Sequence, residues 1–457
     1  MPINQHALRS KLPPYIYVVL CAFMALFFGF SIGIIYACKF DLMNRFMLDS
    51  HEVDSIFLTF LLGAVVGVFL GGRVTYDAGR RLPIVGGFLL GSIAQCSVLM
   101  SPAFSSYLIS EFVLGGAFGI FIISALIYIS EIAFAENRGA ATISIFFSMV
   151  IGLYIAILWG RFFYLNNLST SLFILISSLL LALISFFRLP ESPRWLSISG
   201  FNDAALSELF VLRNNASFAA KELADINECG RGEDHGIALF LHSGSYRRTI
   251  WFLSILTVLI HLAGFAFFPY MSIKIISEYQ MRFYALGIDV VYGSDFVKAG
   301  MTVLLLSAVT ATLTVDKIGR KKLLLGSIFL TEIILVLMYF LSVFSSNFGM
   351  SLLGVLILFY IFASSIGIFV FFATLLSELL PVQGRELGVA LIFFISFVCL
   401  MSSIMTFDFL SDAVGLSGFF ALNLLFGAIL FAILYHSLPE LKGRSLESLE
   451  LSYLRGN

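Results

Sequence analysis

The chain is predicted to be an all-α membrane protein, with twelve transmembrane helices in two pseudo-symmetric six-helix bundles and a cytoplasmic helical linker between them. Three observations carry that prediction. Hydrophobic residues make up 60% of the chain and charged residues only 12%, with a mean hydropathy of +1.00, whereas a soluble protein is about one quarter charged. Apolar runs near the roughly 20 residues that a helix needs to cross a bilayer recur along the whole length. Short polar motifs at their ends return in the second half at nearly constant offsets.

Taken in order, the first six runs lie at about 14–38, 53–72, 82–102, 106–134, 139–162 and 168–188. Leu189-Pro-Glu-Ser-Pro-Arg-Trp-Leu then closes the apolar half and opens the main polar segment. From about 197 to 247, acids, bases and amides alternate with apolar residues at helical spacing, which predicts short amphipathic helices. Six more runs follow at about 248–275, 297–315, 322–343, 349–376, 387–408 and 416–437. The division is therefore an N-terminal bundle at 1–188, a linker at 189–247, a C-terminal bundle at 248–441 and a tail at 442–457.

Basic residues near helix ends stay cytoplasmic. An even number of spans with both termini inside leaves only Lys39, Arg45, Arg161, Lys274, Arg282 and Lys298 outside, of 27 Lys and Arg. Arg9, Lys11, Arg73, Arg247 and Lys317 are among those kept inside. The first run is too long for a cleaved signal segment and has no small-residue cleavage site. Cys21, Cys38, Cys96, Cys229 and Cys399 show no CxxC spacing, so neither a disulfide framework nor a metal site is expected. A net charge of -1 with no basic patch gives no reason to expect nucleic acid. No nucleophile and base pair or phosphate-cradling loop points to an enzyme, and no cofactor is expected. The expected partners are the lipid bilayer, a small-molecule solute and protons, with the chain as a monomer.

The repeats are specific. Tyr76-Asp-Ala-Gly-Arg-Arg returns as Asp316-Lys-Ile-Gly-Arg-Lys, 240 residues on. Glu131 with Arg138 returns as Glu378 with Arg385 at 247, and Pro190-Glu as Pro439-Glu at 249. One six-helix unit is written twice, in parallel. With Gly29-Phe-Ser-Ile-Gly-Ile-Ile in the first run and Tyr128-Ile-Ser-Glu-Ile-Ala in the fourth, the chain resembles the sugar porter family of the major facilitator superfamily along nearly all of its length. The resemblance implies the major facilitator fold, a substrate site between the bundles near the bilayer midplane, and alternating access.

Physically, the motifs read as a cytoplasmic latch. Arg80, Arg81, Arg138, Arg194, Arg320 and Arg385 can meet Glu131, Glu191, Asp316, Glu378 and Glu440 at helix ends when the inner face closes. Such charge-assisted pairs at partly buried ends are worth about 1.5–3 kcal/mol, against less than about 1 when exposed. The same residues could also serve only as topology anchors and caps. The first joint departs from the family order, because its acid is shifted by one residue to Asp77.

The pocket departs further. The family's proton symporters are expected to place an Asp in the first span and an Arg early in the fourth; here those positions hold Ser31 and Glu111. Glu111 is nonetheless an acid inside a span, where ionisable groups are functional by default, and is the proton-coupling candidate. The family's sugar-binding positions fall on Phe146, Ile260, His261, Ala266, Val303, Ala373 and Ser396. Of these, only His261 and Ser396 can hydrogen-bond a ligand through the side chain. A site built for hydroxyl-rich sugars would carry amides, since an unpaired buried hydroxyl costs several kcal/mol. The expected function is transport of a small organic solute, sugar or sugar-like, as facilitator or proton symporter. An organic ion transporter of the same superfamily and a non-transporting membrane sensor are the alternatives.

Overall fold

The structure, a computed structural model, describes residues 13–37, 39–159, 168–229, 235–265, 293–343, 347–444 and 446. Arg9, Lys11, Cys38, Arg161, Ala266, Lys274 and Arg282 lie outside the described residues.

Helices account for nearly all of it. The first half runs α1 (Pro14–Ala37), α2 (Lys39–Phe46), α3 (Ser50–Ala78), α4 (Arg81–Met100), α5 (Phe104–Ile132), α6 (Arg138–Trp159) and α7 (Leu168–Arg188). Four short helices make the linker: α8 (Pro193–Ile198), α9 (Asn202–Arg213), α10 (Ala216–Cys229) and α11 (Ile237–His242). The second half is α12 (Gly244–Leu262), α13 (Gly293–Ile318), α14 (Arg320–Val343), α15 (Asn347–Phe369), α16 (Leu376–Leu379) and α17 (Arg385–Ser437). A π-helical stretch, Val370–Leu375, joins α15 to α16 in one rod. Gly415, at φ 68°, breaks α17 into two consecutive spans. Among the described residues, ten helices are long and apolar enough to cross a membrane, with α7 and α12 standing at the sixth and seventh places of the predicted order.

Local chemistry sets the ends. Asp49 and Glu52 cap α3 reciprocally: Asp49 Oδ1 accepts from Glu52 N (2.7 Å) and Glu52 Oε2 from Asp49 N (3.0 Å). Helix α3 then runs to Ala78, about two turns past its apolar stretch, and carries the first joint out of the bilayer. Ser192 caps α8 with Pro193 at its first position, which explains why Glu-Ser-Pro-Arg starts a helix rather than continuing a loop. The short helix α2, in what reads as a loop, has no apolar run to announce it.

In a membrane, helices hold together through close packing of small residues rather than through a hydrophobic force between them. A Cβ on Gly67 of α3 would lie 2.1 Å from the Gly116 carbonyl oxygen of α5, and one on Gly152 of α6 would lie 1.9 Å from that of Leu26 in α1. These pairs lock the N-terminal half. Gly67→Val should therefore cost about 2 kcal/mol or more by overpacking and backbone separation. Thermal unfolding in detergent will show a lowered midpoint for Gly67→Val and none for Gly86→Val, whose site is open.

The two halves meet along α3 with α17 and α6 with α13. Phe69 packs on Phe394 with centroids 4.9 Å apart, Phe118 on Phe397 at 6.2 Å and Phe146 on Phe369 at 6.1 Å. Large apolar side chains such as Phe187, Trp251, Leu313 and Phe329 point outward, as a lipid-facing surface requires.

Candidate functional site

Among the described residues, the densest polar construction lies on the face that carries the linker helices. Gly79 (φ 85°) and Gly319 (φ 104°) make the same tight turn in the two halves. Any other residue would be strained there, and a Cβ would strike the Glu191 or Glu440 carboxylate at 2.6 Å. Those carboxylates cap the helices that follow. Glu191 Oε1 accepts from the Arg80 amide at 2.8 Å, and Glu440 Oε1 from the Arg320 amide at 2.9 Å.

The guanidinium groups repeat as well. Arg80 binds Glu131 through two bonds of 2.9 and 3.0 Å, and Arg320 binds Glu378 through two of 3.2 and 3.0 Å. This fork geometry suits an arginine and a carboxylate. Ser192 donates to Glu131 and the Arg194 guanidinium to the Glu131 carbonyl, so the Pro-Glu-Ser-Pro-Arg element closes on the fourth span. Trp195 Nε1 donates to the Tyr76 carbonyl (2.9 Å), and Lys442 Nζ to that of Lys317 (2.6 Å).

Contacts between the halves complete the latch. Arg80 pairs with Glu386 at 2.5 Å, Arg385 with Glu131 at 3.5 Å and Arg138 with Glu378 at 3.9 Å. Asp316 accepts the Gly139 and Ala140 amides at 3.2 and 2.8 Å, which caps α6 from the other half. Arg138 also donates to the Arg444 carbonyl at 3.2 Å. Arg80, Glu131, Arg138, Arg320, Glu378, Arg385 and Glu386 are all buried. Burial alone would lower the Arg80 pKa, but the carboxylates Glu131 and Glu386 outweigh it and hold that guanidinium above its usual value. Burial pushes the Glu191 carboxyl up, against the Ser192 and Arg80 amides that favour its charge.

The sequence-predicted gate residues thus come together, with one placed apart. Arg81 lies over the Phe186 ring at 4.5 Å and donates to the Phe186 carbonyl within its own half. Glu386 and Ser192 belong to the latch although neither stood out in the sequence. The signal for Glu386 was its place beside Arg385, where the first half has glycine.

Deeper in the bundles, His261 and Ser396 are joined. His261 Nδ1–H donates to the Thr257 carbonyl at 2.9 Å, because a carbonyl can only accept. Nε2 is left as an acceptor, and the Ser396 hydroxyl stands 3.3 Å from it to donate. Phe372 meets the His261 ring edge-on at 6.4 Å. Ala373 sits in the π-helical stretch, a form enriched at functional sites, and no sequence feature announces it. Phe146 faces Phe369 across the interface of the halves. Ser31 donates its hydroxyl to the Phe27 carbonyl at 3.0 Å. Glu111 is buried in α5, with Tyr107 one turn earlier as its polar neighbour. His261, Ser396 and Phe372 thus form one contact group, in which the Ser396 hydroxyl takes up the imidazole acceptor.

The family model described as "Sugar (and other) transporter" matches residues 15–453. The galactose-proton symporter of Escherichia coli (strain K12) is 28% identical over 456 residues, covering 98% of this chain and 96% of that protein. The arabinose-proton symporter of the same strain is 29% identical, over 96% of this chain and 93% of its own. Among solved structures, the proton:xylose symporter XylE bound to 6-bromo-6-deoxy-D-glucose superposes with a TM-score of 0.81 at 19% identity, over 96% of this chain and 99% of that one. That likeness extends the ten described spans to a twelve-helix architecture.

Proposed function

We propose that this chain, which belongs to the sugar (and other) transporter family, carries a sugar or sugar-like small organic solute across its membrane by alternating access. The observation that carries the reading is the latch: among the described residues, buried ion pairs and backbone caps bridge the two halves where the duplicated motifs meet. In this reading the linker face is cytoplasmic, both termini lie inside, and the membrane is a plasma or inner membrane. The units are 1–188, 189–247, 248–441 and 442–457, and the chain works as a monomer.

The solute sits against His261, Ser396, Phe146, Ser31 and Ala373, with Ala266 assigned by sequence position. A single imidazole–hydroxyl pair with aromatic neighbours favours a less hydroxyl-rich solute than a hexose, such as a deoxy sugar. Glu111 carries the coupled proton, a role supported by the proton symporters among the relatives and by burial of a carboxyl at membrane depth.

Counterflow of labelled sugars, deoxy sugars, polyols and organic ions into proteoliposomes tests the reading. Saturable exchange of a sugar-like solute is expected. His261→Ala should raise KM about five-fold, the worth of one neutral hydrogen bond. No exchange with any solute would leave a non-transporting sensor, and exchange confined to organic ions would overturn the substrate class.

A further inference from the structure

The latch looks symmetric until its acids are traced. Offsets of 240 between the joints and 247 between the Glu and Arg motifs pair Tyr76 with Asp316, and Gly139 with Glu386. In the second joint Asp316 has two tasks: it pairs with Arg320 at 2.9 Å and caps α6 at the Gly139 and Ala140 amides. Gly139 is needed for that approach, since a Cβ there would lie 2.7 Å from Asp316 Oδ1.

In the first joint the acid is missing. Tyr76 occupies its place, half exposed, with its ring 6.4 Å from that of His235. Asp77 next to it pairs with Arg73 on the exposed side of α3 at 2.6 Å. Helix α17 accordingly opens at Gly384 with no side-chain cap. The second carboxylate of Arg80, which would match Asp316 at Arg320, comes instead from the other half, from Glu386 in the first turn of α17, where it also meets the positive end of that helix. Close contact between α3 and α17 holds it there, with a Cβ on Gly72 only 3.3 Å from the Glu386 carbonyl oxygen.

We infer that Tyr76 and Glu386 are an exchanged pair: the acid lost from the first joint has been moved across the interface to position 386, and Glu386 is the positioning residue that gives Arg80 its second carboxylate, beside Glu131, only while the linker face is closed. Among the described residues of the latch core, Arg80, Arg138, Arg320 and Arg385 face Glu131, Glu378, Asp316 and Glu386. Within this set of paired side chains four arginines face four carboxylates, and without Glu386 they face three; the Glu191 and Glu440 carboxylates are engaged by backbone amides. The exchange also makes the two joints unequal. Opening parts an ion pair at Arg80, but only a carboxylate and backbone amides at Asp316.

The inference rests on alternation between the two faces, and its test needs no solute. Spin labels at Leu82→Cys and Ile318→Cys, exposed on the linker face in different halves, report its closure by their distance distribution in a background lacking the native cysteines. Glu386→Gly and the milder Glu386→Gln are each expected to shift the closed-to-open ratio about ten-fold toward open. Adding Tyr76→Asp to Glu386→Gly rebuilds the arrangement of the second joint and should restore closure. An unchanged distribution in Glu386→Gln, or a Glu386→Gly shift that Tyr76→Asp does not reverse, would overturn the inference. Counterflow on the same samples separates this result from the transport reading. A shift that Tyr76→Asp reverses, in protein that exchanges no solute, would support Glu386 while removing the transporter.

Discussion

Glu131→Gln will open the linker face. Glu131 takes both bonds from Arg80, a third from Arg385 in the other half and a fourth from Ser192. The amide preserves the volume but removes the charge and leaves two buried guanidinium groups short of a partner. Breaking one side of a buried pair costs about 3–5 kcal/mol. Where that cost falls on the closed state alone, the closed-to-open equilibrium moves by about two to three and a half orders of magnitude. The check is alkylation of a cysteine at Ser377→Cys, buried beside Glu378, by a membrane-impermeant maleimide added from the linker side. Labelling should be at least ten-fold faster with Glu131→Gln than without it. Equal rates would mean that the pairs are scaffold and not gate. Arg320→Ala and Glu378→Ala should slow solute exchange in the same direction, since they break the matching fork in the second half.

Glu111→Gln will uncouple protons from solute. The carboxyl is buried in α5, about two turns from the start of the helix, and no cation among the described residues pairs with it. Glutamine keeps the shape of a protonated carboxyl and cannot release a proton. Uptake driven by a pH gradient should therefore fall to the level of passive exchange, while counterflow, which needs no net proton movement, persists. Retention of gradient-driven uptake would reduce Glu111 to a packing residue.

How much of this was legible in the sequence depended on whether a residue's neighbours were set by chain position. The spans were readable because a bilayer fixes their length. The latch was readable because its turns need glycine and its charges stand at helix ends, twice over, as at Gly79-Arg80 and Gly319-Arg320. The pocket was less so. Lipid-facing and inward-facing positions are both apolar in a membrane, so hydropathy cannot tell Phe372, beside His261, from Phe329, which points outward. Overlaying the motifs did single out His261 and Ser396, but their bond to each other depends on how α12 packs against α17. Glu386 was missed because its partner is 306 residues away. The linker appeared as the predicted short helices, whereas α2 did not declare itself.

The π-helical stretch at Val370–Leu375 also sets the azimuth of everything beyond it. A π turn holds one residue more than an α turn, and one residue is about 100° of rotation in an α-helix. Upstream in the same rod, Phe369 faces Phe146; downstream, Glu378 faces Arg320. Were the stretch to tighten into regular α-helix, these two ends could not both keep their bearings. Phe369 would lose Phe146 or Glu378 would swing off Arg320. One extra residue in the winding thus fixes the angle between the Phe146 contact and the Arg320 pair along a single rod.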